Sequence, residues 1–494
     1  MQFFKKEKLF SNKNNFPLIL VILLFYGLVS GPLIPEILIF IGIIHLFLKK
    51  EKVAQIFKDD YKFFYIFIIF CVYLILNSFL SEDYYLSFKN SLFFFRLLIP
   101  VFFIILAIEA KKNSFDIIAI SLFILVFSLF ADGLFSLIYG QNIFGLDVKK
   151  DRISSFFNDE LIMGSFVVRV LPFYLACLIL SNIKYKSVIF SISLIIFPTL
   201  VILSGERTAF ALLIFFLISQ IIFNQQIRIR YYKHLIFGLI TGFFILISLQ
   251  NTLMVKRLFL DTLNQAFDKD TKKITFFSNR HENHFLTGFL IFKNHLITGS
   301  GTNTFRIECK KKIYTKKIYS KILEQNTIKA KSDGKILVSD DFFEIIYENR
   351  KAQKINKKYI IKNFLFDDQI FNQQYNFKKD QTLWIVDFDY SDGCNTHPHN
   401  IVIQFISELG IVGTCFLIVF YFYIIKSILE FRKIKNNDLK CAGIIVLFGL
   451  IVNYFPLLPY GNFFNNWFAI INVLPLGLFL IIKKLNKFQG ITNN

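Results

Sequence analysis

The sequence predicts an all-α polytopic membrane protein of about twelve transmembrane helices, with one large polar loop between the ninth and the tenth. Three observations predict it. Hydrophobic residues make up 54% of the 494, 65 of them Phe, and the mean hydropathy is +0.52, more apolar surface than a soluble chain can cover. Apolar runs of spanning or near-spanning length recur along the chain. Clusters of Lys and Arg fall in alternate connections between those runs, as the positive-inside rule requires.

The runs occupy residues 16–31, 33–48, 63–80, 87–109, 115–138, 160–181, 187–204, 208–224, 235–250, 400–425, 440–457 and 463–483. The first two share the break "SGPLIP", so a single re-entrant hairpin is an alternative for them. The segment after "MQFFKKEKLFSNKNN" lacks a small-residue cleavage site and is read as a retained span rather than a signal peptide. "KKEK" at 49–52, "KK" at 111–112, "KYK" at 184–186, "RIRYYK" at 228–233 and "RKIK" at 432–435 mark one side of the membrane. "SEDYY" and "PLLPYGN", on the other side, carry no basic residue. Both termini are therefore expected in the cytoplasm, with the large loop facing outward. The expected units are nine spans in 1–250, an outer cap in 251–398 and three spans in 399–494.

A formal net charge of +21 invites a nucleic-acid reading. The lysines and arginines, however, sit in short clusters that set topology, so no nucleic-acid partner is expected and membrane lipid is. The wealth of Lys, Ile, Phe and Asn beside little Ala also matches an AT-rich coding bias, which lowers the weight of any one lysine. Cys71, Cys177, Cys415 and Cys441 lie in apolar runs and read as packing residues. Within the outer loop, "NTLMVKRLFLDTLNQAF" and "NRHENHFLTGFLIFKNH" have helical apolar spacing. "KILVSDDFFEIIYENR", "KKYIIKNFLF" and "QTLWIVDFDY" read as short strands.

Charges inside or beside apolar runs are expensive and mark candidate sites. Arg96 and Arg169 interrupt spans. "LSGERTAF" puts Glu206 and Arg207 at the outer end of two spans, and Arg152 and Arg280 converge on the same face. Several arginines at one membrane surface suit a phosphate or diphosphate, because guanidinium offers planar paired donors and stays charged. The structural alternative is that they pair with Glu160, Glu206 or Glu282. "HPH" at 397–399 and "HENH" at 281–284 do not have zinc-protease spacing, and Pro398 holds its two neighbours in a poor chelating geometry. No metal and no cofactor are expected. A neutral His beside arginines, at the start of a helix, could instead accept a proton as a general base; His399 is the candidate and His397 its rival. Gln404 and Glu408, four apart on one helix face, are expected to point into a cavity.

These pieces together resemble the superfamily of O-antigen ligases and Wzy-type polymerases. Its ligase signature is His, then Asn, Ser or Gln, nine residues, Gly, two residues and Gly. Here His399 and Asn400 are followed by nine residues, then Gly410 and Gly413. "RISSFFNDELIMGSF" resembles the family's Arg-initiated segment and "LSGERTAF" its Ser-Gly-x-Arg turn. "NHLITGSGTNTF" resembles its Pro-x-x-Gly-x-Gly segment, with His295 where Pro is common. The resemblance covers roughly residues 60–480, with the ligase-related part at roughly 190–420.

The resemblance implies a GT-C-type fold and an inverting glycosyltransferase that uses neither metal nor nucleotide. The donor would be an undecaprenyl-diphosphate-linked glycan at the periplasmic face of the inner membrane. Arg207 and Arg280 would hold the diphosphate and His399 would activate the acceptor hydroxyl, with Arg152, Arg169, Glu206, Asn400, Gln404 and Glu408 around them. The acceptor is lipid A-core for a ligase or a second lipid-linked glycan for a polymerase; the complete His motif after the large loop favours the ligase. A chain-length regulator is a further candidate partner. Cys309 and Cys394 flank the cap, and in an oxidising periplasm a disulfide between them would clip its ends together; two free thiols are the alternative. A reading from another class is a flippase for an anionic lipid-linked sugar, which would bind through the same arginines without a base.

Overall fold

A computed structural model describes residues 15–111, 113–149, 151–268, 273–274, 276–311, 313–314, 335–338, 342–347, 350–356 and 393–492. The chain begins with a hairpin of two short apolar helices, α1 (Phe16–Ser30) and α2 (Leu33–Leu48). Pro17 opens the first, where a missing N–H costs nothing. Next come α3 (Lys50–Asp59), α4 (Tyr61–Phe79), α5 (Tyr84–Leu92), α6 (Leu98–Ala110) and α7 (Ser114–Tyr139), the longest of the first half. Asp83 caps α5 through the Leu86 amide at 2.9 Å, and Gly140 ends α7 in the left-handed conformation that glycine adopts without strain.

The middle of the chain supplies α8 (Met163–Leu180), α9 (Lys186–Leu203), α10 (Arg207–Phe223), α11 (Gln225–Arg230) and α12 (Tyr232–Ser248). The polar region holds α13 (Leu253–Ala266), the hairpin β1 (Phe267–Asp268) and β2 (Lys273–Ile274), α14 (Asn279–Asn294) and α15 (Phe305–Glu308). It continues with an antiparallel meander of β3 (Lys335–Val338), β4 (Phe342–Tyr347) and β5 (Arg350–Asn356). The chain closes with α16 (Ile401–Phe431), α17 (Asn437–Asn453) and α18 (Asn466–Thr492). "KKYIIKNFLF" and "QTLWIVDFDY", read above as strands, lie outside the described residues.

Among the described residues seven helices are long and apolar enough to cross a membrane. An eighth span arises if α12 and α13, bent 95° to one another, count as one; α1, α2 and α10 are apolar but shorter. The protein is thus a multi-pass membrane protein. Helix α8 is its axis: nearly all of its side chains are buried, and it packs against α7, α9 and α17. Helix α12 is the opposite case, apolar beyond Lys233 and His234 and with no buried residue. Phe243 and Phe244, each more than half exposed, make sense only against lipid.

The connections segregate to two ends. At one end lie the basic clusters, tied across helices by Arg230 to Asp438, Lys483 to Asp60 at 2.6 Å, and Lys484 to Asp59 at 2.8 Å and Glu109 at 2.6 Å. At the other end, Arg96 pairs with Glu36 at 3.0 Å. There too the 454–465 turn meets the start of α16, where the Tyr460 amide donates to the His399 carbonyl at 2.8 Å. Arg96 is therefore bound to a carboxylate rather than presented to a cavity.

The helices read from "NTLMVKRLFLDTLNQAF" and "NRHENHFLTGFLIFKNH" form as α13 and α14. They pack on the bundle itself, α13 on α9 and α10, and α14 on α16. The polar region is thus, in its first part, an extension of the bundle.

Candidate active site at the capped end of the bundle

Helix α16 positions everything else. Asn400 caps it, accepting from the Val402 and Ile403 amides at 2.9 and 3.1 Å and donating to the Pro456 carbonyl at 2.9 Å. Two turns on, Gly410 breaks the helix with φ 63° and ψ −161°, a region open only to glycine. Residues 295–301 lie in that break. Ser300 donates to the Ser407 carbonyl and Gly301 to that of Glu408, both at 3.0 Å, while the Ile411 amide donates to Leu296 at 2.9 Å. A β-carbon on Gly410 would lie 2.3 Å from the Ile297 carbonyl oxygen. Gly410→Ala is therefore expected to destabilise the protein by at least about 3 kcal/mol. Gly242→Ala, whose β-carbon would meet nothing within 4 Å, should leave it unharmed; thermal unfolding in detergent measures both.

Gln404 and Glu408 do share one helix face, but the expectation that they line a cavity is corrected. Both are fully buried, and Gln404 Nε2 donates to Glu408 Oε2 at 2.9 Å and to Asn462 Oδ1 at 2.8 Å. Glu408 Oε1 accepts from the Phe305 amide at 2.9 Å, and Gln404 Oε1 from that of Phe463 at 3.0 Å. They lock the glycine loop and the 460–464 turn onto α16. Asn400, likewise, is spent as a cap.

The histidines gather at the mouth of this helix. The His399 ring lies 4.1 Å from that of His397, 5.2 Å from His284 and 5.4 Å from His281, centroid to centroid. His399 itself sits at φ 55°, an uncommon backbone for a side chain with a β-carbon and a marker of functional sites. The Thr396 amide donates to Asn395 Oδ1 at 2.7 Å, which fixes the orientation of that amide group. Asn395 Nδ2 then faces His399 Nε2 at 3.0 Å. An amide nitrogen can only donate, so Nε2 is the accepting nitrogen in this contact.

His397 is differently placed. It is buried, its Nε2 meets the Tyr460 carbonyl at 3.2 Å and its Nδ1 meets the Thr396 hydroxyl at 3.0 Å. A carbonyl can only accept, so His397 donates from Nε2, and its remaining lone pair receives the hydroxyl. Burial, with positive Arg306 and neighbouring imidazoles, lowers its pKa to about 4. The unfolded chain takes up this proton near pH 6.5 and the folded chain only near 4, so stability should fall as pH drops through that window. The loss should reach about 3 kcal/mol at its lower edge. Thermal melts of the wild type and of His397→Gln, which lacks this titration, should diverge in slope between pH 6.5 and 4.

Arg152 and Arg257 lie beside Gly205. Glu206 caps α8, accepting from the Gly164 amide at 2.8 Å and the Ser165 hydroxyl at 2.7 Å. Arg152 donates from Nη2 to the Leu161 carbonyl at 2.7 Å. Arg169 is 3% exposed, donates to the Ser165 carbonyl at 2.9 Å and lies 4.4 Å above the Phe468 ring. Arg169 is thus not displayed at an outer surface but buried beneath one.

Arg207, expected to hold an anion, is turned instead to α13. Its Nε donates to the Arg257 carbonyl at 3.1 Å and its Nη1 to Gln265 Oε1 at 2.5 Å, with Asp261 at 3.8 Å. Arg280 falls in the first turn of α14, and its side chain is outside the described residues.

Sequence reasoning missed Arg257, on α13, which pairs with Asp151 at 3.0 Å and approaches Gly205 alongside Arg152. It also missed Arg306, Asn395 and Tyr460. The Nε–H groups of Arg152, Arg169 and Arg257 are all buried with no hydrogen-bond partner. A buried charged donor without an acceptor is costly; Arg306 Nε is a fourth such donor, and these groups are candidates for holding acceptor oxygens. Beside the histidines, Cys309 and Cys394 are disulfide-bonded, with Cα atoms 5.1 Å apart, and the bond fastens α15 to the residue next to Asn395.

No protein-family profile matches this chain and no curated protein is similar to it.

Proposed function

We propose that the protein is an inverting glycosyltransferase that moves a polyprenyl-diphosphate-linked glycan onto an acceptor hydroxyl, most simply an O-antigen ligase acting on lipid A-core. The observation that carries this reading is a half-buried His399 whose Nε2 faces the Asn395 amide nitrogen at 3.0 Å, at the same end of the bundle as guanidinium groups with unpaired N–H. Base and anion site are the two things the reaction needs. The acceptor hydroxyl gives its proton to His399 Nε2 in place of the Asn395 contact, and its oxygen attacks the anomeric carbon. The bond to the diphosphate oxygen breaks, and the guanidinium groups take up the developing charge.

On this reading α1, α2, α10, α12 and α17 join the seven long helices as spans, twelve in all, in a GT-C-type bundle. The basic end faces the cytoplasm with both termini, and the site faces the periplasm. The residues for donor binding are Arg152, Arg169 and Arg257, with Arg280 contributed from α14. The resemblance of the His399–Gly413 segment to the ligase signature supports the same assignment.

Purified protein in liposomes, given labelled lipid-linked glycan and acceptor, should transfer the glycan with no nucleotide, metal or ion gradient. Movement of the donor across the bilayer without transfer would replace this reading with a flippase. In cells, loss of activity should strip all polymer from the core; a core still carrying one repeat would assign the protein as a polymerase.

A further inference from the structure

A cavity of 620 Å³ lies between α4, α16 and α18, on the far side of the buried Gln404–Asn462 network from the histidines. Its walls are apolar and largely aromatic, with Phe67, Phe420 and Val473 among them. At the end nearer the histidines it is closed by packed phenylalanines. The Phe70 ring stands 6.1 Å from Phe405 and 5.2 Å from Phe416, and Phe463 lies 4.8 Å from Phe405. At the other end it reaches the basic end of the bundle, where Lys62, Lys426, Lys483 and Lys487 line it together with Asp59, Asp60 and Glu430. On its flank, Val419 of α16 and Ile66 of α4 also line the cavity while being 46% and 43% exposed. Both belong to apolar spans, so the side opening gives onto lipid.

We infer that this cavity binds one acyl chain of an anionic phospholipid, drawn from the leaflet at the basic end. An apolar space of this size inside a membrane bundle offers water too few polar partners to stay wet, and a lipid chain can enter from the flank. The closed aromatic end sets the direction. A chain whose head group sat at the arginines would have to pass through the phenylalanine roof, whereas one with its head group at the basic end would not.

The lysines supply the head-group chemistry. Lys483 is held by Asp60 at 2.6 Å, but Lys487 stands 3.9 Å from that carboxylate and Lys426 is 4.0 Å from Glu430. These last two side chains are 54% and 77% exposed, long enough to reach a phosphodiester at the surface. The inference does not rest on the glycosyl-transfer reading.

The full chain is reconstituted in phosphatidylcholine vesicles containing phosphatidylglycerol with a photoreactive group at the end of one acyl chain, and cross-linked peptides are mapped. Labelling should concentrate on 63–70 and 416–423 and exceed that on the outer face of α12. Lys426→Gln should lower it about fivefold, the worth of one lysine near an anionic surface. Val473→Trp should fill the cavity and Val419→Trp should block its flank; the second, at an exposed position, keeps the test valid if the first fails to fold. Labelling no denser than on α12, or undiminished in a folded Val419→Trp protein, overturns the inference. So does preferential labelling of the cavity by a photoreactive polyprenyl phosphate offered at equal concentration.

Discussion

Replacing His399 with Ala should lower glycan transfer in liposomes by about a hundredfold to ten-thousandfold, the usual worth of a positioned general base. The protein should still fold, because the ring packs among other imidazoles and the backbone contact to Tyr460 uses the His399 carbonyl. Its pH–rate profile should also lose the limb that rises as the base deprotonates, a change that a merely structural histidine would not cause. His397→Gln is the companion variant. Glutamine can donate to the Tyr460 carbonyl and accept from Thr396, so it should keep most of the activity while altering the acid stability described above. Undiminished transfer by His399→Ala would sink the assignment of the base and leave the membrane fold untouched.

The second large effect is expected at Arg257. Exchange for Met should reduce transfer about a hundredfold, the order of magnitude for losing one preorganised donor to developing charge, and Lys should restore it only in part because it lacks the planar paired donors. The structural alternative is that Arg257 only fastens α13 through Asp151. Asp151→Asn separates the two, since it removes the ion pair and leaves the guanidinium in place. Near-normal transfer by Asp151→Asn beside a crippled Arg257→Met assigns Arg257 to the donor. Equal losses in both would make it a fastener. Arg230→Met, at the opposite end of the bundle, serves as the neutral control.

Much of this architecture was legible because lipid imposes a simple code. Apolar length marks most of the long helices, and the clusters such as "KYK" and "RKIK" fall at one end of the bundle. The i, i+4 spacing of Gln404 and Glu408 placed them on one face, and they do bond to each other. It could not say what lay opposite, because their partners Phe305 and Phe463 are about a hundred and about sixty residues away in the chain, pairings set by tertiary packing. Gly410 stands in the sequence only as part of the spacing that follows His399. Its left-handed backbone became visible only with residues 295–301 lying in the break. Arg257 was hidden for a different reason: in a lysine- and arginine-rich chain, one more cation on an amphipathic helix looks like a solvated charge. Tyr460 acts through its backbone carbonyl and amide, groups that every residue has and that no composition can flag.

The bond between Cys309 and Cys394 joins positions 85 apart in sequence across 5.1 Å. The chain therefore leaves the neighbourhood of His399 and returns to it through a single covalent staple, and the distance between the two points is fixed whatever lies between. Doubling the length of a closed loop adds only about 0.6 kcal/mol to the cost of closure, and the staple already holds the ends. Natural variation can then lengthen, shorten or exchange that segment with little penalty at the histidine turn. Such a chain is arranged to diversify in one stretch while its chemistry stays still, and a graft from another protein between those two cysteines is the engineering counterpart.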